Sequence, residues 1–523
     1  MDLEGAARRP YSRRAFLLGA VSASAAGVLA ACTQPAAAPT TAPAAAPTTA
    51  AAPASPAAAA SPAASPAALA SPSPAAAAAA SPAASPAASP AASPAASPGA
   101  VASPSPAAGG QFTIANPPPV PAANIASAKP YAGATITYYG DGVGQGNDLD
   151  KAAATQFQKD TGINVNVVAR PQSSTDTFAQ YQRFFQGQSP DLDVLMIDVI
   201  WPGQLASNLV DLGPKLGDAS KNHYPGIVAN DTINGTLVAM PFFSDFGILY
   251  YRSDLLQKYN ISSPPKTWDE LTQQATTIMN GEKGSNATFG GFVFQGSAYE
   301  GLTCNGLEWL SSSGAGNIVD NGKASFNNPQ GIAVMNTAKG WVGTIAPRGV
   351  TTYQEEDARN TFQTGNAAFM RNWPYAYALA AANDSPVKGK FDVGPLPAAS
   401  GQQPVGCIGG WALAASKYSK NPDASIEFIR YLTSPEFQTF RGVVGGYVPT
   451  IPSVAADPNV VQAQPYLTKV GNVTRVARPS AETGENYNQV STYFFQGVNS
   501  ILNGQDAASV VPMMQNQIDR LIG

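Results

Sequence analysis

The sequence predicts an α/β protein of two lobes carried behind a long unfolded leader. Strand-like and helix-like stretches alternate after residue 130, at 134–139, 148–161, 163–168, 178–185 and 192–197. Strand, helix, strand, helix, strand is the order of a parallel sheet with crossover helices. About 395 residues follow Ala128, more than one hydrophobic core usually serves, which argues for two lobes. No Asp, Glu, Lys or Arg occurs from Ala15 through Ala128, and no ordinary soluble domain has so long an uncharged run.

The leader has three parts. Ser12-Arg13-Arg14-Ala15-Phe16-Leu17 precedes a mildly apolar stretch, 15–31, short for a bilayer crossing and suited to a signal peptide over 1–31. The paired arginines resemble the twin-arginine export signal, with a Sec signal as the alternative. Leu29-Ala30-Ala31-Cys32 resembles the lipobox of bacterial lipoproteins, in which the cysteine thiol takes the lipid that anchors the mature chain. Within a linker drawn over 32–130, the chain from Pro35 to Ala108 is Ala, Pro, Ser and Thr except for Leu69, Gly99 and Val101. Proline interrupts every helix start and nothing large is available to bury, so the segment reads as a disordered, partly polyproline-like spacer.

The folded part begins with the strand at 134–139, and further helical patterns recur at 268–279, 301–312, 329–342, 423–432 and 487–502. Ligands of an open α/β sheet collect beyond the carboxyl ends of its strands, which directs attention to the loops there. Gly140-Asp-Gly-Val-Gly-Gln-Gly146 is glycine-rich but places Gln145 where a dinucleotide fingerprint needs glycine, and no GxxxxGK[ST] occurs. Asp198-Val-Ile-Trp-Pro202 sets a carboxylate and an indole at a strand end, and Pro241-Phe-Phe-Ser-Asp-Phe-Gly247 carries Asp245 among aromatics. Aromatic faces beside carboxylates suit a sugar, whose C–H faces lie on rings while its hydroxyls donate to carboxylates.

Composition closes other routes. The chain has 30 basic and 34 acidic residues with no long basic run, which disfavours nucleic acid as a partner. Its one histidine, His223, lies in Lys-Asn-His-Tyr-Pro, read as a polar loop, so His-based hydrolases and multi-imidazole metal sites are not expected. Trp201, Trp268, Trp309 and Trp341 read as core or capping residues, whereas Pro and Gly neighbours place Trp373 and Trp411 on loops.

Several stretches together resemble the family 1 extracellular solute-binding proteins of bacterial ABC importers, in their maltose- and trehalose-binding branch. They are Asp198-Val-Ile-Trp-Pro202, Gly247-Ile-Leu-Tyr-Tyr-Arg-Ser-Asp254, Pro265-Lys-Thr-Trp-Asp-Glu-Leu271, Phe294-Gln-Gly-Ser-Ala-Tyr-Glu-Gly-Leu302 with Leu307-Glu-Trp309, Phe369-Met-Arg-Asn-Trp-Pro-Tyr375 and Gly409-Gly-Trp411. The resemblance implies a two-lobe periplasmic-binding-protein fold of the type II kind, with hinge crossings and a cleft between lobes. It maps the N-lobe to 131–246 plus about 410–449, and the C-lobe to 247–409 plus about 450–523. Closure around a solute would present a liganded shape to the permease.

Carried over residue by residue, the resemblance implies ligand contacts from Asp198 and Asp245, from Tyr299 and Glu300, from Trp373 and Tyr375 as stacking faces, and from Gly409, Gly410 and Trp411 at a crossing. Asp141 is a weaker candidate, and Gln295 and Arg441 weaker still. Cys304 and Cys407 lie near the expected cleft and are a possible disulfide outside the cytoplasm. The expected partners are a carbohydrate and ABC permease subunits, with the chain a monomer held by Cys32 on the outer face of the cell membrane, without catalytic residues, metal or cofactor. A glycoside hydrolase with paired carboxylates, a sugar-sensing receptor and a binder of another polyol or phosphodiester are the alternatives.

Overall fold

The computed structural model describes residues 117–523. The twin-arginine segment, Cys32 and the spacer up to residue 116 lie outside the described residues; the end of the expected spacer, 117–130, is instead part of the fold, with Ala123 and Ala128 buried and the Ala123 amide donating to Asp160 at 2.7 Å. Two mixed sheets organise the remainder. The first begins with β1 (Thr135–Gly140), α1 (Gly146–Thr161), β2 (Asn164–Ala169), α2 (Ser174–Gln186) and β3 (Val194–Asp198). β1 pairs in parallel with both β2 and β3, as the alternating pattern predicts. All five residues of β3 are buried, which its unbroken apolar run requires of a central strand. β2, at the sheet edge, keeps only partial cover. α1 ends at Gly162 with φ +78°, the left-handed stop that glycine takes without strain. α2 starts where Ser173 accepts from the Asp176 amide.

The chain leaves this sheet through β4 (Met240–Phe246) and after the single residue Gly247 enters β5 (Ile248–Tyr251) of a second sheet. That sheet adds β6 (Gly290–Val293), β7 (Ala367–Asn372) and β8 (Asp392–Gly394) in the order β8–β5–β7–β6. Around it lie α3 (Trp268–Glu282), α4 (Glu300–Ser311), α5 (Pro329–Trp341) and α6 (Glu355–Gln363). α3 opens on Thr267, whose hydroxyl accepts from the Glu270 amide. α6 opens on a reciprocal capping box between Gln354 and Asp357.

An 11-residue strand, β9 (Val405–Ala415), then returns the chain to the first sheet. It lies antiparallel to β4 through 408–413 and to β3 through 411–415, and its start pairs in parallel with β10 (Thr474–Val476). α7 (Pro422–Leu432) and α8 (Pro435–Gly445) follow. α7 packs on β1 and α1 through Phe428, whose ring is 5.4 Å from Tyr138 and 5.0 Å from Phe157. Two short helices, Pro452–Ala455 and Pro458–Ala463, pack against α8, so the return reaches past the expected boundary at Pro449. α9 (Tyr487–Leu502) and α10 (Ala507–Ile522) pack back onto α4 and α5.

The tryptophans expected in the core are there: Trp201, Trp268, Trp309 and Trp341 are all buried. Three of them meet around the second sheet, with Trp309 5.7 Å and Trp268 5.5 Å from Trp341. Two readings are corrected. His223 is not in an exposed polar loop: it is buried, its Nδ1 2.8 Å from Thr450 Oγ1, because the residues beside it dock on the chain following α8. Trp411 lies within β9 rather than on a loop, at a register shift between Trp411 and Ala412.

Candidate ligand-binding cleft

Strand ends of the first sheet and helix starts around the second converge on one enclosed cavity. β3 ends on Asp198, β4 brings Asp245, and β9 brings Gly409, Gly410 and Trp411. From the other side come Glu300 at the start of α4, Glu355 at the start of α6, and Trp373 and Tyr375 just beyond β7. All of these line the cavity, as do Arg170, Cys304, Tyr447 and Arg478. Its volume is about 50 Å³, room for a few waters and far below the roughly 300 Å³ at which ligand clefts begin. The lobes therefore stand closed, and a ligand needs them to part.

Two tryptophans offer flat faces, and each is backed by a guanidinium. Arg170 lies 3.8 Å from the centroid of the Trp411 ring, and Arg371 lies 3.9 Å from that of Trp373. The Trp373 indole Nε1 donates to Glu355 Oε1 at 3.3 Å. Tyr375 gives its ring to the cavity while its hydroxyl donates to Glu356 at 2.7 Å. Gly409 lets the Trp373 ring lie on β9, since a Cβ there would come 3.0 Å from the ring. Gly410 has φ +120°, and a Cβ there would come 2.7 Å from the Phe243 carbonyl oxygen, so both conformation and space call for glycine.

The acids differ in their partners. Arg478 grips Asp198 with two bonds of 2.6 and 3.1 Å and reaches Glu300 Oε1 at 3.0 Å, joining one lobe to the other. Glu300 also accepts from the Tyr487 and Ser491 hydroxyls, and burial raises its pKa against the opposing pull of Arg478. Asp245 is different: it is 7% exposed and its Oδ1 has no hydrogen-bond partner. Burial lifts its pKa well above the usual carboxylate range, helped by the nearby charges of Asp141 and Asp198. Glu355 is faced by the Tyr299 phenol, and burial raises its pKa too.

Four of the residues considered from the sequence do not line the cavity. Asp141 is fully buried, 3.4 Å from Arg170 and 3.3 Å from Arg441, and accepts from the Tyr447 hydroxyl at 2.9 Å; it braces two lining residues from behind. Arg441 is held mainly by Asp150 at 2.6 Å. Gln295 bonds Arg371 and Asn305 within the interior. Tyr299 is buried at the head of α4, where its phenol faces Glu355. The Cys304–Cys407 bridge is not formed: both thiols are free and buried. Among the described residues, no group of three His, Cys, Asp or Glu side chains is placed to hold a metal ion.

Arg170, Arg478 and Glu355 line the cavity without having been singled out in the sequence. Arg170-Pro171 directly follows β2, so the strand-end rule that points to Asp198 also points to Arg170. Arg478 and Glu355 sit in loop and helix-start sequences with no such mark. A larger open groove of about 500 Å³ runs between α3 and α5. It offers Asp269 and several threonines, and its one tryptophan, Trp341, is buried with Nε1 donating to Thr272, so nothing converges there.

Comparison with known proteins agrees with this geometry. The family model described as "Bacterial extracellular solute-binding protein" matches residues 140–439. A probable ABC transporter-binding protein of Deinococcus radiodurans is 45% identical over 76% of this chain and 96% of its own length. A probable amino-acid ABC transporter periplasmic-binding protein of Sinorhizobium fredii is 23% identical over 59% of this chain and 71% of its own. Among solved structures, maltose-bound MalE3 of T. maritima superposes with a TM-score of 0.71 at 36% identity, covering 74% of this chain and all of the other. With the twin sheets, the crossings at Gly247 and β9 and the cleft between them, these matches establish that the chain belongs to the bacterial extracellular solute-binding proteins of ABC transporters.

Proposed function

We propose that this protein captures an uncharged di- or oligosaccharide of the maltose or trehalose kind between its lobes and delivers it to an ABC permease. The observation that carries this reading is the distribution of charge. Each guanidinium lining or backing the cavity already has a carboxylate: Arg170 with Asp141, Arg371 with Glu308, Arg441 with Asp150, Arg478 with Asp198 and Glu300. Asp245 has a buried oxygen to spare. An anionic ligand would meet carboxylates and no free cation, whereas a polyol supplies the O–H donor that oxygen lacks. Trp373 and Trp411 would take the apolar faces of the sugar rings. The maltose carried by the T. maritima structure supports the same class.

Delivery needs the protein outside the cell and near its membrane. No helix among the described residues is long and apolar enough to cross a bilayer, and Cys32 is the residue proposed to carry the lipid anchor, with the Ala/Ser/Pro spacer giving a monomer reach to the permease. A thermal-shift series with maltose, trehalose, sucrose, maltodextrins, a glycerol phosphodiester and neutral amino acids tests the ligand class. One of the saccharides should raise the melting temperature in a concentration-dependent way. A rise with the phosphodiester or an amino acid and none with any saccharide would overturn the reading.

A further inference from the structure

The Trp373 ring, the buried ion pair beneath it and the two strand crossings close into a single circuit of contacts. Below the ring is Arg371, 1% exposed, whose Nε and Nη2 donate to Glu308 at 2.9 and 2.6 Å and whose Nη1 donates to Gln295 at 3.1 Å. Glu308, on α4 and equally buried, uses Oε1 a second time to accept from the Cys407 amide on β9 at 3.0 Å. Gly247, the one residue between β4 and β5, donates its N–H to the Cys407 carbonyl at 3.2 Å. A Cβ at Gly247 would overlap Glu308 Oε1 and come 2.7 Å from Arg371 Nη2, so that crossing is shaped around the ion pair. Two residues beyond Cys407, Gly409 meets the far edge of the Trp373 ring, closing the loop.

A buried ion pair is a poor source of stability, because desolvation offsets most of its attraction and apolar residues of the same volume would serve packing as well. What an Arg–carboxylate pair gives is a planar, bidentate, directional mount. We propose that Glu308 and Arg371 are positioning residues that tie the Trp373 platform to both crossings, so that the seating of the ring and the conformation of the hinge change together. Neither residue lines the cavity, and Arg371 reaches it through the Trp373 ring lying 3.9 Å away. Trp373 as the sugar-stacking surface rests on the functional reading above; the mechanical link to the crossings does not.

The test uses the full chain without sugar first. Arg371→Lys keeps the charge and loses the fork and the flat face; Glu308→Gln keeps the shape and an acceptor for the Cys407 amide. Hydrogen–deuterium exchange is followed in peptides covering 244–250 and 403–412, with 268–282 in the same lobe as reference. Arg371→Lys should speed exchange in both crossing segments by about tenfold or more while leaving 268–282 unchanged. It should also raise acrylamide quenching of the Trp373 emission, obtained by difference against the same variant carrying Trp373→Phe. Glu308→Gln should act in the same direction and less, and it decides the matter alone if Arg371→Lys does not fold.

A uniform rise across 268–282 as well would mean general loosening and would overturn the proposal, as would a response in one crossing or neither. Titration with maltose as the probe follows. Failure of the wild-type chain to respond to it, or to the other saccharides, would count against the functional reading, while the sugar-free exchange result would still decide the link to the hinge.

Discussion

Single residues in this cleft divide into those that face the cavity and those that hold the facing residues in place. Trp373→Ala should weaken saccharide binding by about 1–3 kcal/mol if the ring stacks, measured by calorimetric titration; an unchanged isotherm would remove Trp373 from the contact surface. Asp245 makes a second prediction through pH. Its folded pKa is raised by burial, so above about pH 4 an unfolded chain releases a proton that the native state retains, and native stability declines as pH rises toward the raised value. Asp245→Asn lacks that loss, so its melting temperature relative to wild type should increase from pH 4 to pH 7; a constant difference would show that Asp245 is ionised in the native state. Gly410→Ala should destabilise by about 1–3 kcal/mol, since alanine at φ +120° is strained and its Cβ meets the Phe243 carbonyl. Asp198 was legible in the sequence itself, because it carries two marks, an unusual residue type and a strand-end setting, whereas Trp373 and Gly409 entered through the family resemblance. Asp141 carried both marks and still faces inward, because two arginines and Tyr447 compete for it, a contest between distant segments that no local pattern records.

Among the elements, periodic helices and the first three strands were readable because each has its own apolar pattern. α3, α5, α7 and α9 fall within a few residues of the helical stretches expected at 268–279, 329–342, 423–432 and 487–502. β9 was not read as a strand. Its Val-Gly-Cys-Ile-Gly-Gly-Trp start looks like a loop, and only pairing with β3, β4 and β10 extends it. The segment carrying His223 shows the same limit, since Thr450 that anchors it is far away in sequence. Burial lowers the pKa of His223 from 6.5 to about 4. The unfolded chain then takes up a proton below about pH 6.5 that the native state refuses until about pH 4, so stability falls as pH drops through that window, by about 3 kcal/mol in all. His223→Gln should flatten the decline in urea midpoint between pH 6.5 and pH 4; an equally steep decline would assign it to other groups.

At the scale of the molecule, closure is held by the contact of Arg478 with Asp198 and Glu300 and by the Glu300 amide bonding Thr175 Oγ1 at 3.0 Å. Arg478→Gln should shift the sugar-free protein toward an open form, read as a larger radius of gyration in X-ray scattering, with saccharide restoring the compact value; an unchanged radius would place the latch elsewhere. The two-lobe architecture was legible from length and strand–helix order together with the family resemblance. The closed state was not, because it depends on which lobe each charge ends up facing. Arg478 has one more consequence. It follows β10, which is paired to the start of β9 in the first sheet, while its bond to Glu300 reaches α4, so parting the lobes must strip one of two acids of its counter-charge, and that step is cheap only when water floods in behind it.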